Sequence, residues 1–297
     1  MKSKVGNFFF AFVPLALILT ILYISQLPGT GLYMVFKFLT EGGEGLGSFL
    51  YSILFTGLDG DEYNNYAYFI QLVYSILAIV VFVFWNRIFH KDKIKGNVAT
   101  HIASRFDWQI LLGILLMAVG SYYLVDIIIS LEASILPDQF EIYTELMEDM
   151  DISSEFNVGI FLYAIIFGHV CEELCFRGAI YRHFRKAVPV WAALILQAAL
   201  FGVFHGNVIQ GVYAFIVGIL MGYIYEHGGS IFNNILYHVL FNVMGLTTIL
   251  SSFMDERVIW VLFVLGAGVG FTACGLLLYS FGVKKRDNVI CSSSCPY

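Results

Sequence analysis

Two adjacent carboxylates and a guanidinium interrupt an apolar stretch in the second half of the chain, at Glu172, Glu173 and Arg177. Ionisable side chains at membrane depth are costly, so they usually face the interior of a helical bundle and mark a site. Residues four apart lie on nearly one face of a helix, which pairs Glu173 with Arg177 and points Glu172 elsewhere. We therefore expect Arg177 to neutralise Glu173 and to leave Glu172 free.

Glu172 is the candidate for activating a water molecule. A carboxylate removed from water in an apolar bundle holds a proton more readily, which suits a general base that works at neutral pH. A single buried Glu–Arg pair can also serve only to pin two helices together. The second carboxylate beside the pair favours chemistry over that structural interpretation.

Two histidines and an amide follow in later apolar stretches. Phe201 and His205 are four residues apart, as are His238 and Asn242, so each pair shares one helical face. Imidazole and amide groups can stabilise an oxyanion and orient water. A lone intramembrane histidine is as often a packing residue, but the coincidence with Glu172 favours a site.

The three motifs Glu-Glu-x-x-x-Arg, Phe-x-x-x-His and His-x-x-x-Asn occur in this order within about 70 residues. The ordered set resembles the signature of the CAAX-prenyl-protease and bacteriocin-processing family of intramembrane glutamic endopeptidases, also called the ABI family, over roughly residues 157–245. Each motif alone is a weak signal, but the ordered set is specific. All seven signature positions are present: Glu172, Glu173, Arg177, Phe201, His205, His238 and Asn242.

The resemblance implies a role for each motif residue. Glu172 would activate water, His205 would assist, and His238 and Asn242 would form an oxyanion hole, in a cavity open to the cytoplasmic side. The implied substrate is a peptide or lipidated peptide, either a prenylated CAAX C-terminus or a bacteriocin-type leader. The sequence does not distinguish between these two substrate classes.

A zinc-dependent protease of the same fold is the alternative mechanism, with Glu172, His205 and His238 as the ligands. The chain lacks His-Glu-x-x-His, and the stretch from His169 to Glu173 departs from the inverted zinc motif at its last position. We therefore favour glutamate chemistry without a required cofactor. His169 is interpreted as structural, because the family pattern gives it no role.

The composition indicates a membrane protein. Of 297 residues, 59% are hydrophobic and only 13% are charged, and the mean hydropathy is +0.79. The sequence predicts an all-α fold, a polytopic bundle of about eight transmembrane helices. The predicted spans are Phe8–Ser25, Tyr66–Trp85, Gln109–Leu131, Asn157–Tyr181, Pro189–Phe204, Val208–Tyr225, Ser230–Leu250 and Val258–Phe281.

The distribution of charge predicts the topology, because Lys and Arg concentrate in cytoplasmic loops. The acid-rich stretches 26–65 and 132–156 alternate with the basic ones, so both termini are expected in the cytoplasm. The net charge of −6 comes with no basic stripe, and we expect no nucleic-acid partner. The basic residues are Lys2 and Lys4, then Arg87, Lys91, Lys93, Lys95 and Arg105, then Arg182, Arg185 and Lys186, and finally Lys284, Lys285 and Arg286.

Several shorter features have ordinary interpretations. The first apolar run is longer than that of a signal peptide and is expected to stay as an uncleaved span. The glycine run from Gly42 to Gly47 lacks the phosphate-binding spacing and predicts an interfacial hairpin. Gly218 and Gly222 are spaced for close helix packing. The five cysteines predict apolar filler and a free tail thiol: Cys171, Cys175, Cys274, Cys291 and Cys295.

Two non-proteolytic functions remain open from the sequence. A transporter would use the buried Glu and His as a proton path, but its polar groups would fall in two related halves. A scaffold or immunity protein would keep the fold without turnover. We divide the chain into N-terminal segments over residues 1–156, a protease-like core over 157–250, and a final helix and tail over 251–297. The oligomeric state does not follow from the sequence.

Overall fold

The computed structural model describes residues 3–58, 60–90, 107–149, 162–246 and 258–294, and within these ranges the ordered elements are helices without any strand. This confirms the all-α fold of a polytopic membrane protein. Among the described residues, five helices are long and apolar enough to cross a membrane: Lys4–Thr56, Glu62–Phe89, Trp108–Ile135, Val208–Gly228 and Val261–Asn288.

The predicted number of eight spans is not confirmed. The fifth and seventh predicted spans correspond to shorter helices of 15 and 16 described residues, Val190–Phe204 and Ile231–Leu246. The fourth carries too many charged residues to count as an apolar span, and residues 157–161 at its start lie outside the described residues. Ionisable side chains at a site therefore weaken the hydropathy signal that locates a span.

The N-terminal region is a continuous helical run that reverses at a glycine. It comprises α1 (Lys4–Phe10), α2 (Val13–Ile24), α3 (Gln26–Tyr51) and a π-helical end at Ser52–Thr56. Within α3, Gly42 has a φ of 73°, a left-handed conformation that suits glycine. Tyr33 and Phe49 would be about 24 Å apart on a straight helix, yet their ring centroids lie 5.0 Å apart. The predicted hairpin is present, with a first arm continuous with α2.

Helix α4 (Gly60–His90) lies between this hairpin and the helix that carries the two carboxylates. The Thr30 and Tyr66 hydroxyls hydrogen-bond at 2.6 Å on the hairpin side. On the other side, Asn86 Nδ2 donates to the Leu174 carbonyl at 3.2 Å. A Cβ on Gly178 would come within 2.6 Å of Asn86 Nδ2, so glycine there lets the two helices approach closely.

Helix α5 (Trp108–Ile135) packs along helix α12 (Val258–Ser294) through glycines. A Cβ on Gly275 would lie 2.7 Å from both the Gly113 carbonyl oxygen and the Met117 backbone nitrogen. One on Gly113 would in turn lie 2.7 Å from the Tyr279 backbone nitrogen. Small residues allow such backbone contact between membrane helices, where van der Waals packing replaces the hydrophobic effect.

The acid-rich segment forms helix α6 (Pro137–Asp149), which leaves Asp138, Glu141 and Glu145 exposed. This helix covers the acid-rich stretch as far as Asp149, and residues 150–156 lie outside the described residues. The basic residues predicted at Lys91, Lys93, Lys95 and Arg105 also lie outside them, as does Cys295. Cys171 and Cys175 are buried, and Cys274 is exposed.

The chain then builds the region of the candidate site from four helices. Helix α7 (Gly168–Cys175) lies between two π-helical segments, Leu162–Phe167 and Phe176–Tyr181, and α8 (Arg182–Ala187) continues it. Helices α9 (Val190–Phe204), α10 (Val208–Gly228) and α11 (Ile231–Leu246) follow. A Cβ on Gly222 would lie 2.7 Å from Leu194 and one on Gly218 would lie 3.1 Å from the Cβ of Ala198, which confirms the predicted close packing.

The α5–α12 contact predicts a specific stability defect. Gly275→Ala should destabilise the folded protein by about 1–3 kcal/mol, because the added methyl group meets backbone atoms that cannot move aside. Gly266→Ala on the same helix is the matched control, because its Cβ meets no atom within 4 Å. Thermal unfolding in detergent measures both variants, and equal midpoints would contradict the packing described here.

Candidate active site

Two π-helical segments flank the helical turns that carry Glu172 and Glu173. π turns are rare and are frequently found at functional sites, where they shift the register of the side chains that follow. Here the second segment contains Arg177, which lies one turn after Glu173. The local backbone thus departs from a regular helix on both sides of the carboxylates.

Glu173 and Arg177 form the predicted ion pair. Arg177 Nη1 donates to Glu173 Oε1 at 2.8 Å, and both side chains are completely buried. Arg177 Nη2 also donates to the Gly218 carbonyl at 3.3 Å. The guanidinium lies 4.5 Å from the centroid of the Phe201 ring. This pair therefore connects α7 to α9 and α10.

The same oxygen of Glu173 accepts a second hydrogen bond, from His238 Nδ1 at 3.0 Å. Because a carboxylate accepts, this bond places a proton on Nδ1 of His238. His238 Nε2 lies 3.8 Å from Glu172 Oε2, which is too far for a direct hydrogen bond but leaves both atoms within reach of one water molecule. The Glu172 side chain keeps 19% of its surface exposed, so it is the more accessible of the two adjacent carboxylates.

His205 ends α9 and lies against the same aromatic ring as His238. Its Nδ1 lies 2.8 Å from the Phe201 carbonyl, so Nδ1 donates and Nε2 remains an acceptor. The Phe201 ring centroid is 4.7 Å from His205 and 5.9 Å from His238. The turn that follows has Gly206 at a φ of 70° and Asn207 capping α10. His205 is half-buried and Gly206 is exposed, so the turn is enclosed on its histidine side only.

Asn242 contacts His169, which has no role in the family pattern. Asn242 Nδ2 hydrogen-bonds with His169 Nε2, and the His169 and His238 ring centroids are 4.2 Å apart in an edge-to-face contact. His169 precedes Glu173 by four residues, and Glu173 precedes Arg177 by four. This spacing is the signal that could have placed His169 beside the pair.

Buried polar side chains behind the site were also missed. Gln197 Nε2 donates to the Gly218 carbonyl at 2.8 Å, so this carbonyl receives both Gln197 and Arg177. Asn234 Nδ2 donates to the Met221 carbonyl at 2.6 Å, and the hydroxyls of Tyr237 and Ser121 hydrogen-bond at 2.6 Å. Their position as polar residues inside apolar helices was the sequence feature that could have identified them. Each of them hydrogen-bonds to a neighbouring helix.

The donor set gives only part of a metal site. Glu172 and His238 present a carboxylate oxygen and an imidazole nitrogen to the same space, and Glu173 supports His238 from behind as metal-ligating histidines require. Within the described parts of the chain, however, no three His, Cys, Asp or Glu side chains lie in a metal-binding arrangement. The predicted ligand set with His205 would need side chains to move together.

The structure thus brings eight residues of the second half of the chain into one region where α7, α9, α10 and α11 meet. They are His169, Glu172, Glu173, Arg177, Phe201, His205, His238 and Asn242.

Residues 154–244, less than half of the chain, match the family model described as type II CAAX prenyl endopeptidase Rce1-like. No curated protein and no solved structure matches the chain. The resemblance predicted from the motifs is therefore confirmed for residues 154–244, which match the type II CAAX prenyl endopeptidase family.

Proposed function

We propose that this protein is an intramembrane endopeptidase in which Glu172 activates water. The observation that carries the proposal is the unequal environment of two adjacent carboxylates. Glu173 is completely buried and bonded to both Arg177 and His238, whereas Glu172 is partly exposed and lies 3.8 Å from His238 Nε2. A general base must reach its proton directly or through one water molecule, and Glu172 alone of the two has that freedom.

In the proposed reaction, a water molecule beside Glu172 attacks the carbonyl carbon of the scissile peptide bond. Its proton passes to the Glu172 carboxylate as the new carbon–oxygen bond forms, and the carbonyl oxygen becomes an oxyanion. When the tetrahedral intermediate collapses, the carbon–nitrogen bond breaks and the proton on Glu172 passes to the leaving amine. Glu172 is then ionised again, and no covalent enzyme intermediate is required.

The oxyanion is proposed to receive hydrogen bonds from His238 and Asn242. With Nδ1 bonded to Glu173, His238 can donate from Nε2 only when its ring carries a proton on both nitrogens. Because Arg177 already compensates the charge of Glu173, the negative charge that such an imidazolium needs comes from the oxyanion itself as it forms. Preorganised donors of this kind act without reorganisation during the reaction. His205, with Nε2 as an acceptor, would orient the water molecule.

The proposed topology places the site within reach of the cytoplasm. Arg182, Arg185 and Lys186 belong to the helix that continues from the site, and such basic clusters mark the cytoplasmic side. Glu172 precedes Arg182 by ten residues, which is about 15 Å of helix. We propose that both termini are cytoplasmic and that the substrate is a peptide entering from that side. Prenylated CAAX-type peptides and leader peptides are the two classes to test.

Glu172→Gln should lower kcat for peptide cleavage by about 100- to 10,000-fold, because the amide cannot accept the proton of water. Glu141→Gln is the matched control, since Glu141 is exposed on α6 and the change removes the same charge. The measurement uses quenched fluorescent peptides, with and without a prenyl group, on purified full-length protein whose folding is checked for each variant.

A chelator added to the wild-type reaction separates the two mechanisms. We propose that no cofactor is required, so cleavage should continue unchanged after treatment with a zinc chelator. Loss of cleavage that returns with added zinc would replace the glutamate mechanism by the zinc alternative with Glu172, His205 and His238. Full activity of Glu172→Gln would overturn the site assignment in either mechanism.

Substitutions of the buried Glu173–Arg177 pair should affect stability and activity differently. Arg177→Met should cost about 3–5 kcal/mol, because it leaves Glu173 uncompensated in an apolar interior. Glu173→Met combined with Arg177→Met should recover most of that stability, since apolar residues of similar volume can replace a buried pair. Activity should stay lost in the double variant, because His238 Nδ1 no longer has an acceptor.

Arg185→Met is the control for this series, because Arg185 forms a partly exposed pair with Glu226 and its loss should cost less than about 1 kcal/mol. Chemical denaturation in detergent and peptide cleavage measure stability and activity on the same samples. Recovery of activity in the Glu173→Met, Arg177→Met variant would show that the pair is structural only.

A further inference from the structure

His169 has contacts that the proposed reaction does not use. It is 8% exposed and lies between the Ile165 carbonyl, the His238 ring and the Asn242 amide. We infer that His169 is a positioning residue that fixes the orientation of the Asn242 amide for oxyanion binding. This inference rests on the proposed function, in which Asn242 touches the oxyanion.

The protonation pattern of the His169 ring follows from its partners. Nδ1 lies 3.1 Å from the Ile165 carbonyl oxygen, and a carbonyl can only accept. Nδ1 therefore carries the proton, which leaves Nε2 of the neutral ring as an acceptor. Nε2 is the atom that meets the side-chain amide of Asn242. The Ile165 carbonyl, in the first π segment, thus sets the protonation of His169 so that an acceptor nitrogen faces the Asn242 amide.

An acceptor at this position selects one of the two orientations of the amide. If the Asn242 amide were reversed, its oxygen would face the lone pair of His169 Nε2, and two acceptors would oppose each other. The observed orientation gives one N–H of Nδ2 to His169. The amide nitrogen has two N–H groups, so the second remains available for the oxyanion.

The same histidine touches the other proposed oxyanion donor. Its ring meets the edge of the His238 ring at a centroid distance of 4.2 Å, with the ring planes at 69°. Because His238 is also held by Glu173, its imidazole is fixed on two sides. The hydrogen bond from His238 to Glu173 does not involve residue 169, so His238 keeps its orientation when residue 169 is changed, and the change acts through Asn242.

Two substitutions of similar polarity separate positioning from packing. His169→Gln carries an amide oxygen near the position of Nε2 and can still accept from Asn242. His169→Asn is shorter, retains polarity near the position of Nδ1, and leaves Asn242 without its acceptor. We expect His169→Asn to lower kcat by about 10- to 100-fold with KM little changed, because the half-buried Asn242 amide loses its partner. His169→Gln should retain most of the wild-type kcat.

A double-mutant cycle tests whether His169 acts through Asn242. Asn242→Ala should lower kcat by about 100- to 1,000-fold, as expected for loss of one oxyanion donor. Adding His169→Asn to Asn242→Ala should then have no further effect. Multiplicative losses in the double variant, or equal losses in His169→Asn and His169→Gln, would overturn the inference.

A readout without turnover keeps this test separate from the proposed function. In full-length protein labelled with ¹⁵N-asparagine, the side-chain amide signals of Asn242 are assigned by their loss in Asn242→Ala. These signals should shift in His169→Asn and stay near their wild-type positions in His169→Gln. Unshifted signals in His169→Asn would overturn the inference even in an active enzyme. Shifted signals in a protein that cleaves no peptide would retain the His169–Asn242 contact and reject the proposed protease function.

Discussion

The burial of one ion pair constrains the rest of this site. Glu173 and Arg177 are completely enclosed, and a charge in such a place requires a partner and further hydrogen bonds. Arg177 therefore reaches the Gly218 carbonyl on α10 as well as Glu173, and Glu173 receives His238 from α11. Each of these bonds fixes a neighbouring helix against α7. Burying the pair costs desolvation energy. Its hydrogen bonds hold the helices of the candidate site in defined positions.

This arrangement explains why the chain carries two adjacent glutamates. If Glu172 also had to compensate Arg177, it would not be free to accept a proton from water. Since Glu173 meets that requirement, Glu172 can remain partly exposed beside His238 Nε2. In the proposed mechanism, the two carboxylates divide charge compensation and proton transfer between them, although they are neighbours in sequence. A helix achieves this division because successive side chains point in different directions.

Local spacing in the sequence was sufficient to predict part of this structure. The Glu173–Arg177 pair follows from a four-residue separation on one helix, and the hairpin at Gly42 follows from a glycine run between two short apolar stretches. The number of spans did not follow, because site helices carry charges and some are shorter than a bilayer requires. The contacts of His238 with Glu173 and of His169 with Asn242 join residues 65 and 73 positions apart. Helical periodicity specifies faces, but it does not specify which faces of separate helices meet.

The central claim is that Glu172, and not Glu173, is the reactive carboxylate. The most direct measurement treats the full-length wild-type protein in detergent with an apolar carbodiimide and maps the modified carboxylates by mass spectrometry over time. The account predicts modification of Glu172 well before Glu173, and protection of Glu172 by a bound substrate peptide. Modification of Glu173 first, or of both residues at the same rate without protection, would contradict it.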